Sequence, residues 1–347
     1  MDKPGLEPSE TPHEKSDLMT QTGKQALVMI GMHRSGTSAS TGALKCVGVD
    51  LGSRLYKGHK GINDKGYFEH SDIADTNDEA LWTLGSCWDD ILLKEDKWWL
   101  GKELVPYAEK IRSHIRRDFS KSPLWAVKDP RVCRLLPWWL DILDSEGVTP
   151  KFVFVIRSPH AVYRSLERRD GFSIEKSFLL WSLHYLEAER WSRGFPRAFV
   201  DFDHFIENPA KDLQRIEEKL GISYPVPVEK AGPCLEKFLS KDLRHHGKSE
   251  EAPESSPAIE LTLALHRKLL EAAEKGEEGL PREEMDELWT GMEKLQAGFP
   301  VALVEHIRSS GLLRGKLHVT MNRVMRSGSW YTGKPVRFLE RLIGRDV

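Results

Sequence analysis

The sequence contains little cysteine. Only four cysteines occur in 347 residues, and no two of them form a C-x-x-C pair: Cys46, Cys87, Cys133 and Cys234. Structural zinc sites depend on closely spaced ligands, so this scatter argues against a zinc ion. Isolated cysteines are also typical of proteins from a reducing compartment, which is where we expect this protein.

The sequence also lacks an apolar run long enough to cross a bilayer, and its N-terminus has no hydrophobic signal-peptide core. The formal net charge is −2, with 51 basic and 53 acidic residues, so the overall charge does not indicate nucleic acid as a partner. We predict a cytoplasmic protein that, at most, attaches to the inner membrane surface.

Residues 26–47 predict a strand, a loop and a helix in succession. Residues 26–30 form a short apolar run of strand length, and GMHRSGTS follows at 31–38. Apolar residues then recur at helical spacing over 39–47. This arrangement directs backbone N–H groups and a helix N-terminus at one point, which suits a phosphate.

The loop departs from the Walker A pattern G-x-x-x-x-G-K-[ST] at one position. Thr37 stands where the lysine that reaches the β- and γ-phosphates should be, and the nearest cation is Arg34. A kinase that uses a nucleoside triphosphate is therefore disfavoured, although it stays open as an alternative. The loop suits a single 5′-phosphate with a guanidinium beside it. A strand–helix turn without a ligand is the plainer interpretation.

Two more predicted strands end in charged residues. Residues 123–132 contain Lys128 at the end of a short strand. The strand predicted over 151–156, which is apolar after Lys151, leads directly into Arg157. Open parallel sheets bind ligands at the carboxyl ends of their strands. Ser165 lies two turns along the next predicted helix, so its hydroxyl and the Arg157 guanidinium suit a phosphate monoester. A salt-bridged turn is the alternative at both strand ends.

The alternation of strands and helices predicts an α/β fold of the P-loop type, with a parallel sheet, helices on both faces and a helical C-terminal extension. A fourth strand is predicted over 197–203. We expect a disordered leader over 1–24, the main domain over 25–247, a linker and a helical pair over 248–310, and a basic amphipathic segment over 311–347. Such a segment suits an anionic membrane surface or a protein partner.

Several segments together resemble the sulfotransferases that use 3′-phosphoadenosine 5′-phosphosulfate (PAPS). The strand–GMHRSGTS–helix unit is similar to their 5′-phosphosulfate loop, and FVFVIRSPHAVYRSL is similar to their 3′-phosphate motif. VDFDHFIENPAKDLQRIEEKLGI resembles their late strand–Asn-Pro–helix unit. NDKGYFE and AVKDPR are similar to segments of bacterial members that act on glycans, lipids or small metabolites. The likeness covers residues 26–243.

The resemblance implies a sulfotransferase domain over 25–247 that moves a sulfuryl group from PAPS to a hydroxyl or amine acceptor by in-line attack. Arg157 and Ser165 would hold the 3′-phosphate. Arg34 and Lys128 are the candidate cations beside the leaving phosphate oxygen, where negative charge grows. The 5′ end of the donor would lie against the loop residues His33, Arg34, Ser35, Gly36, Thr37 and Ser38.

The acceptor must also lose a proton, which requires a base. Related glycan sulfotransferases carry a glutamate before an aromatic pair in this region, and Asp64 before Tyr67-Phe68 matches that position loosely. Glu69 follows the same pair and has the longer reach, so we slightly favour Glu69 and keep Asp64. The alternative is that both carboxylates brace the loop. No metal is required, since side chains and dipoles neutralise the phosphates.

Two alternatives to a sulfotransferase stay open at this point. One is the P-loop kinase, against which Thr37 argues. The other is a non-catalytic nucleotide-binding protein that uses the basic C-terminal segment as its interaction surface. Tryptophans at positions 88, 98 and 99 are candidates for lining an acceptor pocket, although core packing is the commoner role of tryptophan.

Overall fold

The fold is built on one parallel sheet. The computed structural model describes residues 23–56, 66–239 and 255–326. Every neighbouring pair of strands is parallel, and the order across the sheet is β2-β1-β3-β4. The strands are β1 (Lys24–Ile30), β2 (Leu124–Lys128), β3 (Val148–Ile156) and β4 (Arg197–Asp201). The predicted α/β fold is confirmed.

Both faces of the sheet are buried, which explains the continuous apolar runs in the sequence. Successive side chains of a strand point to opposite faces. In β1, Val28 and Ile30 belong to one hydrophobic cluster, whereas Leu27 and Met29 belong to the other. Each face must therefore be covered by helices.

Helices cover both faces. In chain order they are α1 (Thr37–Cys46), α2 (Ser71–Thr83), α3 (Val105–Phe119), α4 (Arg131–Ser145), α5 (Pro159–Asp170), α6 (Ile174–Ser192), α7 (Phe202–Glu207), α8 (Pro209–Leu220), α9 (Val228–Phe238), α10 (Pro257–Lys275), α11 (Arg282–Ala297) and α12 (Val301–Arg326). Apolar residues of α1, α7, α8 and α9 pack on one face of the sheet. Those of α2 to α6, α10 and α11 join the cluster on the opposite face.

One predicted boundary needs correction. The strand expected over 197–203 ends at Asp201, because the Asp201 carboxylate accepts a hydrogen bond from the Asp203 amide (3.0 Å) and caps α7. Helix α4 begins at Arg131, immediately after Pro130. Gly221 ends α8 in the left-handed conformation with φ 55°.

A disulfide joins two helices that are far apart in the chain. Cys46 at the end of α1 is bonded to Cys234 of α9, at a sequence separation of 188. The helices pack so closely that a Cβ on Gly42 would lie 2.1 Å from the Phe238 ring. Cys87 and Cys133 are free. We expected a reducing compartment because the cysteines are scattered along the sequence. The disulfide between Cys46 and Cys234 removes that reason.

The C-terminal region is helical, as predicted. Helices α10 and α11 pack together and bury Leu265, Leu269, Met285 and Met292 in the core. Helix α12 runs through the boundary predicted at 310/311 and lies against α2. A Cβ on Gly311 would lie 2.4 Å from the Gly85 carbonyl oxygen, and Arg314 pairs with Asp89 at 2.6 Å.

Parts of three predicted segments lie outside the described residues. They are 1–22 of the leader, 240–254 with most of the linker, and 327–347 of the basic segment. Of the helices in the described ranges, none combines the length and the apolar character needed to traverse a bilayer.

Candidate functional site

The loop between β1 and α1, residues 31–38, is called the anion loop below. The Ser35 amide donates to the Met32 carbonyl at 3.1 Å and closes a turn. Arg34 (φ 70°) and Gly36 (φ 85°) both have left-handed backbones. Such strain at a residue other than glycine is frequent at functional sites. The loop therefore has a defined, turned conformation at the carboxyl end of β1.

Glycine is needed at position 36 because the loop packs directly on α7. A Cβ on Gly36 would lie 2.1 Å from the Phe202 ring. Gly36 is also the N-cap of α1 and has no side chain with which to cap the first turn. A helix N-terminus of this kind favours a bound anion through its backbone N–H groups and its dipole.

The second predicted anion motif lies beside the anion loop. The Arg157 side chain donates from Nη1 to the Arg34 carbonyl at 2.9 Å, and Arg34 Nε donates to the Ser165 hydroxyl at 2.7 Å. The Arg157 guanidinium also covers the Phe202 ring at 4.9 Å. Arg34, Arg157 and Ser165, which the sequence assigned to two ends of one ligand, thus share one edge of the sheet.

Burial affects both guanidinium groups but does not remove their charge. It lowers the pKa of Arg34, with a further contribution from Arg169, and it lowers the pKa of Arg157. Arginine stays protonated under these conditions because its ordinary pKa is so high. Two half-buried positive charges therefore lie next to each other, an arrangement that favours an anionic ligand.

Lys128 and Glu69 form a third part of the site at the end of β2. Lys128 Nζ donates to Glu69 Oε1 at 2.6 Å and to the Tyr67 carbonyl at 3.2 Å. The Ser38 hydroxyl donates to the same carbonyl at 3.2 Å, which ties this segment to the anion loop. The side chains of Lys128 and Glu69 are only 4% and 9% exposed. Glu69, the favoured base, is thus held in a buried ion pair.

Arg131, which the site predictions omitted, supports this ion pair. Its guanidinium lies 3.9 Å from Glu69 Oε2, and it also bonds Asp129 (2.9 Å) and Asp78 (2.6 Å). Burial raises the pKa of Asp78 to about 6. The sequence could have indicated Arg131 as a site residue, because it follows the end of β2 closely. It could not have indicated the partner Asp78, which lies in a different helix, α2.

The remaining predicted residues have mixed outcomes. Ser35 and Thr37 are buried in the anion loop, and the ring of His33 lies 4.6 Å from that of Trp88 between centroids. Trp98 and Trp99 pack at the margin of the core. Asp64 lies outside the described residues, so its proposed role as a base stays a prediction. Within the described ranges, no group of three or more histidine, cysteine or acidic residues has a geometry that would hold a metal ion.

Comparison with protein-family models gave no match, and neither did comparison with curated proteins. The class of protein that the fold and the site define is an α/β protein with a four-stranded parallel sheet and a glycine-bounded loop at its carboxyl edge. What this protein does must therefore be inferred from the chemistry of that edge.

Proposed function

We propose that the protein is a sulfotransferase that moves a sulfuryl group from PAPS to a hydroxyl or amine acceptor. The observation that supports this most directly is the proximity of the two anion motifs. Arg157 donates to the Arg34 carbonyl, and Arg34 donates to Ser165. A donor with a 5′-phosphosulfate and a 3′-phosphate needs two such groups within the length of one nucleotide.

The parallel sheet supports the same assignment by its topology. The anion loop follows β1 and Arg157 follows β3, and these strands are hydrogen-bonded neighbours. Neighbouring strands lie about 4.8 Å apart. The 5′-phosphosulfate would bind at the N-terminus of α1 and the 3′-phosphate at Arg157 and Ser165, so both ends of the donor lie on one side of the molecule.

Positive charge is available where the leaving group would develop negative charge. As the bond between sulfur and the bridging oxygen breaks, charge accumulates on the departing 5′-phosphate. Fixed cations beside that oxygen lower the barrier, because their positions need no reorganisation during the reaction. Arg34 and Lys128 are the residues we assign to this role. Neither is a good proton donor to the leaving group, since Arg34 holds its proton tightly and Lys128 is paired with Glu69.

The proposal is tested by calorimetry with adenosine 3′,5′-bisphosphate, the product that the donor leaves behind. We expect saturable binding with a stoichiometry of one per chain. ATP with magnesium is the matched control, and we expect no turnover because Thr37 replaces the Walker lysine. Absence of binding by the bisphosphate would overturn the proposal, and magnesium-dependent ATP turnover would favour the kinase.

Glu69→Gln tests the ion pair at the end of β2. We expect the bisphosphate to bind at least as tightly, because the site becomes more positive. We expect sulfuryl transfer to slow, because Lys128 loses the carboxylate that holds it in place beside the leaving phosphate. Stability should fall by about 3 kcal/mol, since Lys128 loses its charged partner in a buried position. Rates with labelled PAPS and urea unfolding measure the two effects.

Glu79→Gln is the control for this change. Glu79 makes the same kind of pair with Lys110, but on the surface, where the lysine side chain is 49% exposed. Such pairs contribute about 0–1 kcal/mol. An unchanged transfer rate in Glu69→Gln would show that Glu69 has no role in the reaction. Equal losses of stability in Glu69→Gln and Glu79→Gln would contradict the burial of the Glu69–Lys128 pair.

A further inference from the structure

His33 has a buried ring nitrogen that its surroundings leave unsatisfied. Among the described residues, no group forms a hydrogen bond with His33 Nε2, and the atom is inaccessible to solvent. The ring is tilted by 60° against that of Trp88. A buried polar atom without a partner is rare in proteins because it costs free energy. In a loop shaped for an anion, it points to a ligand group as the missing partner.

The electrostatic surroundings keep the His33 ring neutral. The positive charges of Arg131 at the start of α4, Arg169 in α5 and Lys128 at the end of β2 act on it, and the ring of His184 in α6 lies 6.4 Å away. Burial, followed by these charges, lowers the pKa of His33 well below 6.5. At pH 7 the imidazole therefore carries a lone pair that is able to accept a proton.

His184 does not supply a competing charge. Burial lowers its pKa to about 3, and its Nδ1 is hydrogen-bonded to the Leu180 carbonyl at 2.7 Å. This bond requires the proton to be on Nδ1, so His184 is a neutral neighbour of fixed tautomer. The charges that govern the basicity of His33 are thus the cations Lys128, Arg131 and Arg169.

We propose that His33 Nε2 accepts the proton of the acceptor hydroxyl or amine, an inference that rests on the proposed sulfuryl transfer. The acceptor atom forms a bond to sulfur while the bond from sulfur to the bridging phosphate oxygen breaks. The electron pair of that bond remains on the 5′-phosphate. The acceptor proton moves to Nε2 and leaves the imidazolium when the products depart.

Two features favour His33 over Glu69 in this role. The Glu69 carboxylate is already bonded to Lys128 and lies 3.9 Å from Arg131, so its negative charge is balanced within the protein. His33, by contrast, gains basicity when the donor binds, because the anionic phosphosulfate offsets the surrounding cations. The base would become strongest only when the donor is in place.

Nuclear magnetic resonance of ring-labelled histidines tests this coupling with adenosine 3′,5′-bisphosphate as the probe. The His33 resonances are assigned by their loss in His33→Asn. We expect a neutral ring at pH 7 in the free protein and a rise of about one pH unit or more in its midpoint when the bisphosphate saturates the site. The exposed His306 of α12 is the control and should not shift. An unchanged His33 titration at saturation would overturn the assignment.

The rate of sulfate release from labelled PAPS to water gives a second readout. We expect His33→Asn to bind the bisphosphate within ~3-fold of the wild-type affinity and to release sulfate about 100-fold more slowly. His306→Asn should match the wild type in both measurements. Equal rates in the wild type and His33→Asn, with binding intact, would overturn the role of His33 alone. Absence of binding by the wild type would instead overturn the proposed function and this assignment with it.

Discussion

Replacing Gly36 by alanine is expected to lower the free energy of unfolding by about 2–5 kcal/mol. At a φ of 85° the left-handed backbone costs a residue with a Cβ about 1–2 kcal/mol. The new Cβ would also lie 2.1 Å from the Phe202 ring, and relieving such overpacking costs about 1–3 kcal/mol. Because the Arg157 guanidinium lies over the same ring, displacement of the Phe202 ring should disturb both anion motifs.

Gly171→Ala separates the two contributions. Gly171 follows α5 with a φ of 68°, but a Cβ there would meet nothing within 4 Å. Urea unfolding of this control should therefore show only the backbone cost of about 1–2 kcal/mol. If both variants lost the same stability, the close contact between the anion loop and Phe202 would be contradicted. We also expect Gly36→Ala, but not Gly171→Ala, to lose most of its affinity for adenosine 3′,5′-bisphosphate.

The order of strands and helices could be predicted from the sequence because both faces of the sheet are buried. After Lys151, the run 152–156 has no polar residue to interrupt it, which is typical of a central parallel strand. The limits of the strands were harder to predict. Strand β3 begins at Val148 and includes Pro150, opposite Ala26 of β1, although proline donates no hydrogen bond to a neighbouring strand.

The proximity of the site residues at the sheet edge followed from topology, but their side-chain partners did not. Arg157 and the anion loop lie together because parallel neighbours end at the same edge. The pairing of Arg131 with Asp78 depends instead on how α2 packs beside α4, across 53 positions of the chain. Sequence periodicity carries no information on such contacts. The same holds for Cys46 and Cys234, whose approach depends on the docking of α9 against α1.

The distribution of charge links the parts of the site. Lys128 is paired with the buried Glu69 carboxylate, whereas the Arg157 guanidinium donates to the neutral Arg34 carbonyl. An arriving dianion would have to share Lys128 with Glu69, which reduces what it gains there. The donor's phosphates should accordingly contribute more of the binding free energy at Arg157 than at Lys128.

Arg157→Ala is expected to weaken binding of adenosine 3′,5′-bisphosphate by about 2–4 kcal/mol, because truncating one partner of a buried, hydrogen-bonded charge pair has effects of this size. The loss corresponds to roughly 30- to 700-fold in the dissociation constant. Arg157→Lys should recover only part of the affinity, since lysine keeps the charge but not the fork of donors. Calorimetry measures both variants, and the exposed Arg164 of α5 supplies the control Arg164→Ala.

Adenosine 5′-monophosphate, which lacks the 3′-phosphate, shows where Arg157 acts. If the guanidinium binds that phosphate, Arg157→Ala should scarcely change the affinity for the monophosphate. The loss of affinity caused by the substitution and the loss caused by removing the 3′-phosphate should then not add. Arg157 also donates to the Arg34 carbonyl, so it has a second route by which to affect binding: through the conformation of the anion loop. Equal weakening of both nucleotides would assign Arg157 to that route and would contradict its contact with the 3′-phosphate. The comparison therefore distinguishes a direct ligand contact from support of the loop with a single substitution.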